Sequence, residues 1–274
     1  MQCTGESRLG GLKMKGIAKA AVFTVAAGAL VAASAAVTHY MDTKQLQNAT
    51  GSNISASSSE SSASAQVGGQ PAVSSSEVST TESSIDKNDW RLLLVNPSHS
   101  IPEGYQPELE YVQGKYQMDA RAADDMKQMI ADAKKDGINL WVLSSYRTQE
   151  YQEGLFNDNV RQLKAQGMTE QEAITETAAN VAVPGTSEHQ TGLAADIMCA
   201  EWTGGITEDF AETEAYAWLK AHCAEYGFIE RFPKGKSDIT KIVYEPWHYR
   251  YVGVEHATAI MEQGITLEEY LGVR

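Results

Sequence analysis

The rhythm of polar and apolar positions divides the chain into three unlike stretches. Residues 20–37 are apolar almost without a break, with only Thr24 and Ser34 as polar interruptions. Eighteen such residues in a helix span about 27 Å, just enough for a bilayer. Residues 52–84 show no period; 14 of them are Ser and none is aromatic. Such a stretch cannot bury enough apolar surface to offset its ordering entropy, so it reads as a flexible linker. From Trp90 onward short periodic segments follow one another to the C-terminus. The apolar run 91–95, ended by Asn96-Pro97, reads as a strand. Residues 118–135 place Ala122, Met126, Met129, Ile130 and Ala133 at helical spacing, and Gly137 follows as a stop. Residues 138–143 read as a strand and 148–164 as a helix. Residues 170–181 read as a helix opened by a Thr169/Glu172 capping box. Residues 193–198 read as a strand, and 212–226 as a helix stopped by Gly227. Residues 241–244 and 248–252 read as strands broken at Pro246, and helices near 255–262 and 266–271 close the chain. Strands so irregularly spaced do not suit βαβ repeats. The expectation is an α+β fold with a small, mainly antiparallel sheet and flanking helices.

The organisation expected is therefore residues 1–42 as a cytoplasmic tip with a membrane anchor or signal peptide, 43–89 as a Ser-rich linker, and 90–274 as one folded domain. About 185 residues suffice for a sizeable core. Arg8, Lys13, Lys15 and Lys19 precede the apolar run, which keeps the N-terminus in the cytoplasm and exports the rest. A retained single-pass anchor is favoured over a cleaved leader, for which Ala33-Ser34-Ala35 is a plausible cleavage site and which would make the protein secreted. Both readings put the folded domain outside the cell. The formal charge of −14 makes nucleic acid a poor partner, because phosphate contacts need Lys and Arg. Cys199 and Cys223 would share an oxidising compartment; they either pair or sit in the core as small apolar residues. Cys3 lies on the other side of the membrane segment from both.

Two segments about fifty residues apart carry the candidate chemistry. The first is Ser187-Glu-His189-Gln-Thr-Gly192-Leu-Ala-Ala-Asp196, the second Glu245-Pro-Trp-His248. They supply two imidazoles, a carboxylate able to bind metal and a second carboxylate three residues before the last His. A catalytic zinc site needs that set: three protein ligands, an open position for water and a base beside it. Asp196 lies among apolar residues, where an unpaired carboxylate is costly, so it has a cation partner or a metal; an Arg is the simple alternative. Pro246 pushes Glu245 to an extended conformation and bends the chain, so Glu245 and His248 can reach one site. On spacing alone that site and an edge strand with a capping Glu are equally good readings.

The two motifs, with Tyr249-Arg-Tyr-Val-Gly253 after the second, resemble the VanY-type D-alanyl-D-alanine carboxypeptidases. These are zinc peptidases that share a core with lysostaphin-type enzymes and hedgehog domains. Leu94-Val-Asn-Pro97, Ile101-Pro-Glu-Gly-Tyr105, Ser144-Ser-Tyr-Arg147 with Gln152, and Tyr226-Gly-Phe-Ile229 extend the likeness over nearly the whole folded part. The resemblance implies a hedgehog/D-Ala-D-Ala peptidase-like fold and Zn2+ held by His189, Asp196 and His248. It makes Glu245 the general base and Arg147 a cationic residue of the catalytic and substrate site, with Ser187 and Gln152 as polar substrate contacts. It implies hydrolysis of the terminal D-amino acid of peptidoglycan stem peptides by a bacterial enzyme, expected as a monomer. An L,D-carboxypeptidase acting on tetrapeptide stems belongs to the same resemblance. A non-catalytic zinc-bearing wall-binding module is the alternative from another class, against which the presence of Glu245 argues. Met198-Cys199 after the Asp segment departs from the pattern and bears on packing more than on catalysis.

Overall fold

The architecture is that of a computed structural model, which describes residues 85–273. The candidate anchor, nearly all of the candidate linker and Cys3 lie outside the described residues. Among the described residues, no helix is long and apolar enough to cross a membrane.

The centre is a four-stranded antiparallel sheet of order β3-β4-β6-β5, made of β3 (Leu140–Ser144), β4 (Ala194–Cys199), β6 (His248–Tyr251) and β5 (Phe228–Glu230). A separate hairpin, β1 (Leu109–Gln113) and β2 (Tyr116–Asp119), precedes the first long helix, α1 (Ala120–Lys135). Then come α2 (Gln149–Ala165), α3 (Glu170–Asn180), α4 (Glu214–His222), α5 (Val254–Gln263) and α6 (Leu267–Leu271). The fold is α+β, as the irregular strand spacing predicts.

Every one of these helices except α5, which starts at Gly253, begins where a side chain satisfies its first free amides. Asp119 caps α1, Thr148 caps α2 and Thr213 caps α4. Thr169 with Glu172 forms the expected capping box on α3, and Thr266 with Glu269 forms another on α6. The helix expected over 212–226 is α4 followed by a tighter 3-10 turn, Cys223–Tyr226, ended by Gly227 in a left-handed conformation.

Three expectations for strands fail. Residues 91–95 form a short 3-10 turn (Trp90–Leu92) and extended chain, because their amides are not taken up by a neighbouring strand; Asp89 caps the turn instead. Residues 241–244 are not a strand: Lys241 is the left-handed cap of a helical turn, Ser237–Thr240. The β1–β2 hairpin lies where no strand is expected. Its apolar residues divide between the core, which takes Val112, Tyr116 and Met118, and solvent, where Tyr111 stands. Among the described residues both cysteines are free, Cys223 buried in the core and Cys199 at the end of β4.

Strand alternation gives the sheet two unlike faces. Val142, Ala195, Ile197, Tyr249 and Phe228 face the main core, where Met118, Ala122, Met126 and Met129 pack against them. The other face carries Trp141, Met198, Asp196, His248 and Arg250, with Trp141 opposite Met198 and Asp196 opposite His248. Over it, α2 and α3 pack on each other through Phe156, Val160, Ala173 and Ile174. A third cluster joins α5 and α6 to β5 through Leu92, Ile229, Val252, Ile260 and Leu267, and Ile85 packs at its margin. The candidate site is thus built on paired strands of the sheet and walled on one side by α2 and α3.

Candidate active site

Two local devices aim the candidate ligands. The first is the 3-10 turn Glu188–Thr191, which leads into β4 and is closed by Gly192 at φ 74°. A Cβ at Gly192 would lie 3.0 Å from the Asp119 amide nitrogen and 3.2 Å from the Pro107 ring, so glycine is required there on two counts. The second is a tight turn in which the His248 amide donates to the Glu245 carbonyl at 3.1 Å, with Pro246 at its second position. It brings Glu245 and His248 to one side, as the Pro246 bend predicts.

His189, Asp196 and His248, all buried, converge, and the facing atoms of the three lie within 4.8 Å of one another. Asp196 carboxylate oxygens stand 3.3 Å from His189 Nε2 and 3.1 Å from His248 Nδ1. The far nitrogen of each imidazole is already committed. His189 Nδ1 lies 2.8 Å from the Ser145 carbonyl oxygen, and His248 Nε2 lies 3.3 Å from Glu188 Oε2. A carbonyl or carboxylate holds the proton on that nitrogen, which leaves the other free to ligate. Zinc bonds of about 2.0–2.2 Å place tetrahedral ligand atoms a little over ~3 Å apart. The donor set, its spacing and its fixed tautomers therefore fit a zinc ion.

The remaining groups surround that triad. Glu245, with 17% of its side chain exposed, places a carboxylate oxygen 3.7 Å from His248 Nδ1. Arg147 donates from Nη2 to Asp196 at 3.1 Å, from Nε to the Ser144 hydroxyl at 3.0 Å and from Nη1 to Gln152 at 3.4 Å. Asp196 thus has the Arg partner that the sequence offers as the simple alternative, and it also faces both imidazoles. A guanidinium has five N–H donors, so two remain, one on each terminal nitrogen, in the fork that suits a carboxylate. Arg147, Ser187, His189, Asp196, Glu245 and His248 all line one cavity of ≈ 270 Å³. Gln152 does not line it: its amide donates to the Ala182 carbonyl at 2.8 Å and its oxygen supports Arg147 from behind.

Burial and neighbouring charge set the protonation of these groups. Burial, with Arg147 close by, lowers the pKa of His189, which favours the neutral ligand form. Burial opposes a charge on His248, but its contacts with Asp196 and Glu188 outweigh this and raise its pKa to about 9 without a metal; a cation held at Nδ1 would displace that proton. Burial pushes the Glu245 carboxyl up to about 7, the range suited to a base at neutral pH; a metal cation beside it would pull the value down.

One residue next to a candidate ligand carries no signal of its own in the sequence. Glu188 is fully enclosed, and its Oε1 accepts from Arg231 Nε at 2.7 Å and from Arg250 Nη1 at 2.8 Å. Arg231 continues to Glu268 at 2.6 and 2.9 Å, and Asn96 donates to Glu268 at 3.0 Å. Two buried carboxylates and two buried guanidinium groups thus balance one another directly behind His248. Burial alone would raise the Glu188 pKa, but Arg231 and Arg250 hold it well below the usual range. Removing one partner leaves a buried charge unpaired. Glu188→Ala is therefore expected to cost about 3–5 kcal/mol of stability, read as a lower urea midpoint. A midpoint unchanged from the native chain would show that the network contributes nothing net.

Known proteins share these features. Residues 115–254 match the family model VanY, described as D-alanyl-D-alanine carboxypeptidase. The chain is 42% identical over 194 residues to a D-alanyl-D-alanine carboxypeptidase of Enterococcus faecalis, covering 71% of this chain and 70% of the relative. It is similar to the solved structure of a mutant of the vancomycin resistance D,D-pentapeptidase VanY, from a VanB-type resistance cassette, in complex with Zn(II). That likeness has a TM-score of 0.59 and 43% identity, over 67% of this chain and 99% of that one. The structure of the LdcB LD-carboxypeptidase is also similar, with a TM-score of 0.58 and 36% identity, over 68% of this chain and 89% of that one.

Proposed function

The chain belongs to the D-alanyl-D-alanine carboxypeptidase family, and we propose that it removes the C-terminal D-alanine from peptidoglycan stem peptides. It is a zinc metallopeptidase. In our reading His189, Asp196 and His248 hold the zinc, Glu245 is the general base, and Arg147 reads the free chain end. The observation that supports this most is the convergence of all five residues on one cavity.

Zinc held by His189, Asp196 and His248 would lower the pKa of water from 15.7 to about 7 and polarise the scissile carbonyl. The protein side chains do the rest. Glu245 accepts the proton of the attacking water and returns it to the leaving amine, so no charged amide anion has to leave. The two free N–H groups of Arg147 bind the terminal carboxylate in parallel, which places the last peptide bond, and no internal one, beside the base. Gln152 and Ser144 hold the guanidinium in that orientation. Ser187, buried on the cavity wall, offers a hydroxyl to the same end of the substrate.

Arg147 supplies the test. Amidating the substrate carboxylate and replacing Arg147 with Ala remove the same interaction. Each is expected to cost about 2–4 kcal/mol in kcat/KM, the scale of a lost partner in a buried charged pair. Together they should cost little more than either alone, because interacting groups are non-additive. Additive losses would move Arg147 to the oxyanion; an amide cut as fast as the acid would make this an endopeptidase. Offering penta- and tetrapeptide stems separately, and identifying the released residue by mass, separates D,D- from L,D-cleavage, the activity that the LdcB likeness brings in.

The enzyme works outside the cell in this reading, tied to the membrane by residues 20–37 with the Ser-rich stretch as a tether. Protease added to intact cells should then remove the catalytic domain and leave a membrane-bound stub. A domain protected until the cells are lysed would overturn the topology.

A further inference from the structure

Beside the zinc cavity lies a second, larger groove of ≈ 580 Å³, walled by Trp141, Leu143, Met198, Trp202, Thr203 and Ile206. No charged side chain lines it. Ile206 lines both cavities, so the two adjoin. Three observations give the groove a direction. Strand alternation puts Met198 on the same sheet face as Asp196. The β3–β4 register sets Ser144 opposite Asp196 and Trp141 opposite Met198. Arg147 bonds to Ser144 and Asp196. Moving along the strand pair from Arg147, one therefore passes the candidate metal ligand and then enters the groove. The zinc cavity, at ≈ 270 Å³, is below the ~300–1,000 Å³ of a site that encloses a whole ligand. A volume of that order suits the chain end held at Arg147 better than a whole stem peptide. The rest of the substrate must leave on the side away from Arg147.

We propose that this groove binds the stem peptide upstream of the scissile bond, through an aliphatic side chain laid against Trp141, Met198 and Ile206. The proposal rests on the carboxypeptidase reading and adds a substrate length requirement to it. Trp141 and Ile206 are 48% and 58% exposed, a large apolar surface to leave to water at the mouth of a polar site. An uncharged, aromatic-walled groove favours methylene groups over charged ones, because a charge entering it would lose its hydration without a partner. The terminal residue is then selected by charge at Arg147, and the upstream residues by apolar contact in the groove.

The test is a ratio measured on the full chain: kcat/KM for an acylated pentapeptide stem over that for N-acetyl-D-Ala-D-Ala. The native ratio is expected to exceed tenfold. Trp141→Ala should lower it about tenfold, the least that a lost apolar pocket contact is worth. Ile206→Ser, on an exposed loop and harmless to the fold, should lower it in the same direction. A native ratio near one, or a ratio that neither variant changes, overturns the groove assignment while leaving the carboxypeptidase reading intact. If the native chain releases D-alanine from neither peptide, the reading of the site fails and the groove assignment falls with it.

Discussion

Glu245→Gln is expected to lower turnover at least ~10²-fold and to leave zinc bound in full. The amide matches the carboxylate in shape but cannot take the proton from water, and general-base catalysis is worth about 10²–10⁴-fold. The fold should tolerate the change. Burial already raises the Glu245 pKa to about 7, so a neutral group there relieves a desolvation cost. The metal should stay, because its three candidate ligands keep their supports: Ser145 behind His189, Glu188 behind His248, and Arg147 on Asp196. Rate and metal content should be measured on one preparation. Turnover within a few fold of native would remove Glu245 from the chemistry. Loss of zinc would make it a ligand.

His189→Ala and His248→Ala are each expected to lose most of the zinc and the activity with it. Two remaining protein ligands are too few for a stable catalytic site. The two variants lose different contacts. In His189→Ala the Ser145 carbonyl loses its side-chain partner, but the backbone bond from Arg147 to the residue 189 carbonyl remains. In His248→Ala, Glu188 loses only its weaker contact, at 3.3 Å, and keeps Arg231 and Arg250. Both chains should therefore stay folded, so that metal loss is a statement about ligation. One zinc per chain in both variants after dialysis against a chelator would place the metal site elsewhere.

How much of this was legible varies with the reach of each interaction. Helix starts were readable because a cap is a local event: Thr169 and Glu172 bond within three residues of each other. The hairpin β1–β2 was not: Val112, Tyr116 and Met118 pack inward while Tyr111 is exposed, and a register shift between Tyr111 and Gln113 breaks the period. Residues 91–95 misled because an apolar run says only that side chains are buried. Here Leu92 is buried against α5 and α6 without any strand partner. The candidate site was readable where two short motifs each carry their own bend, Gly192 in one and Pro246 in the other. Gln152 was placed with the substrate on resemblance; its packing against Ala182 puts it behind Arg147.

By itself, then, the sequence determined the chemical types at the site and their local presentation: two imidazoles and an aspartate, a glutamate on a proline turn, and an arginine after a strand. Side-chain chemistry and backbone bends are properties of a few neighbouring residues, so they survive without knowledge of the fold. Only the tertiary structure decided which buried charges meet. Glu188 sits between two visible motif residues, yet its partners Arg231 and Arg250 lie 43 and 62 residues away, and Glu268 joins through Arg231. Nothing local distinguishes those residues from surface charges. They are paired because the β4–β6–β5 register and the docking of α6 exclude water from that one place, where an unpaired charge would be too costly to keep.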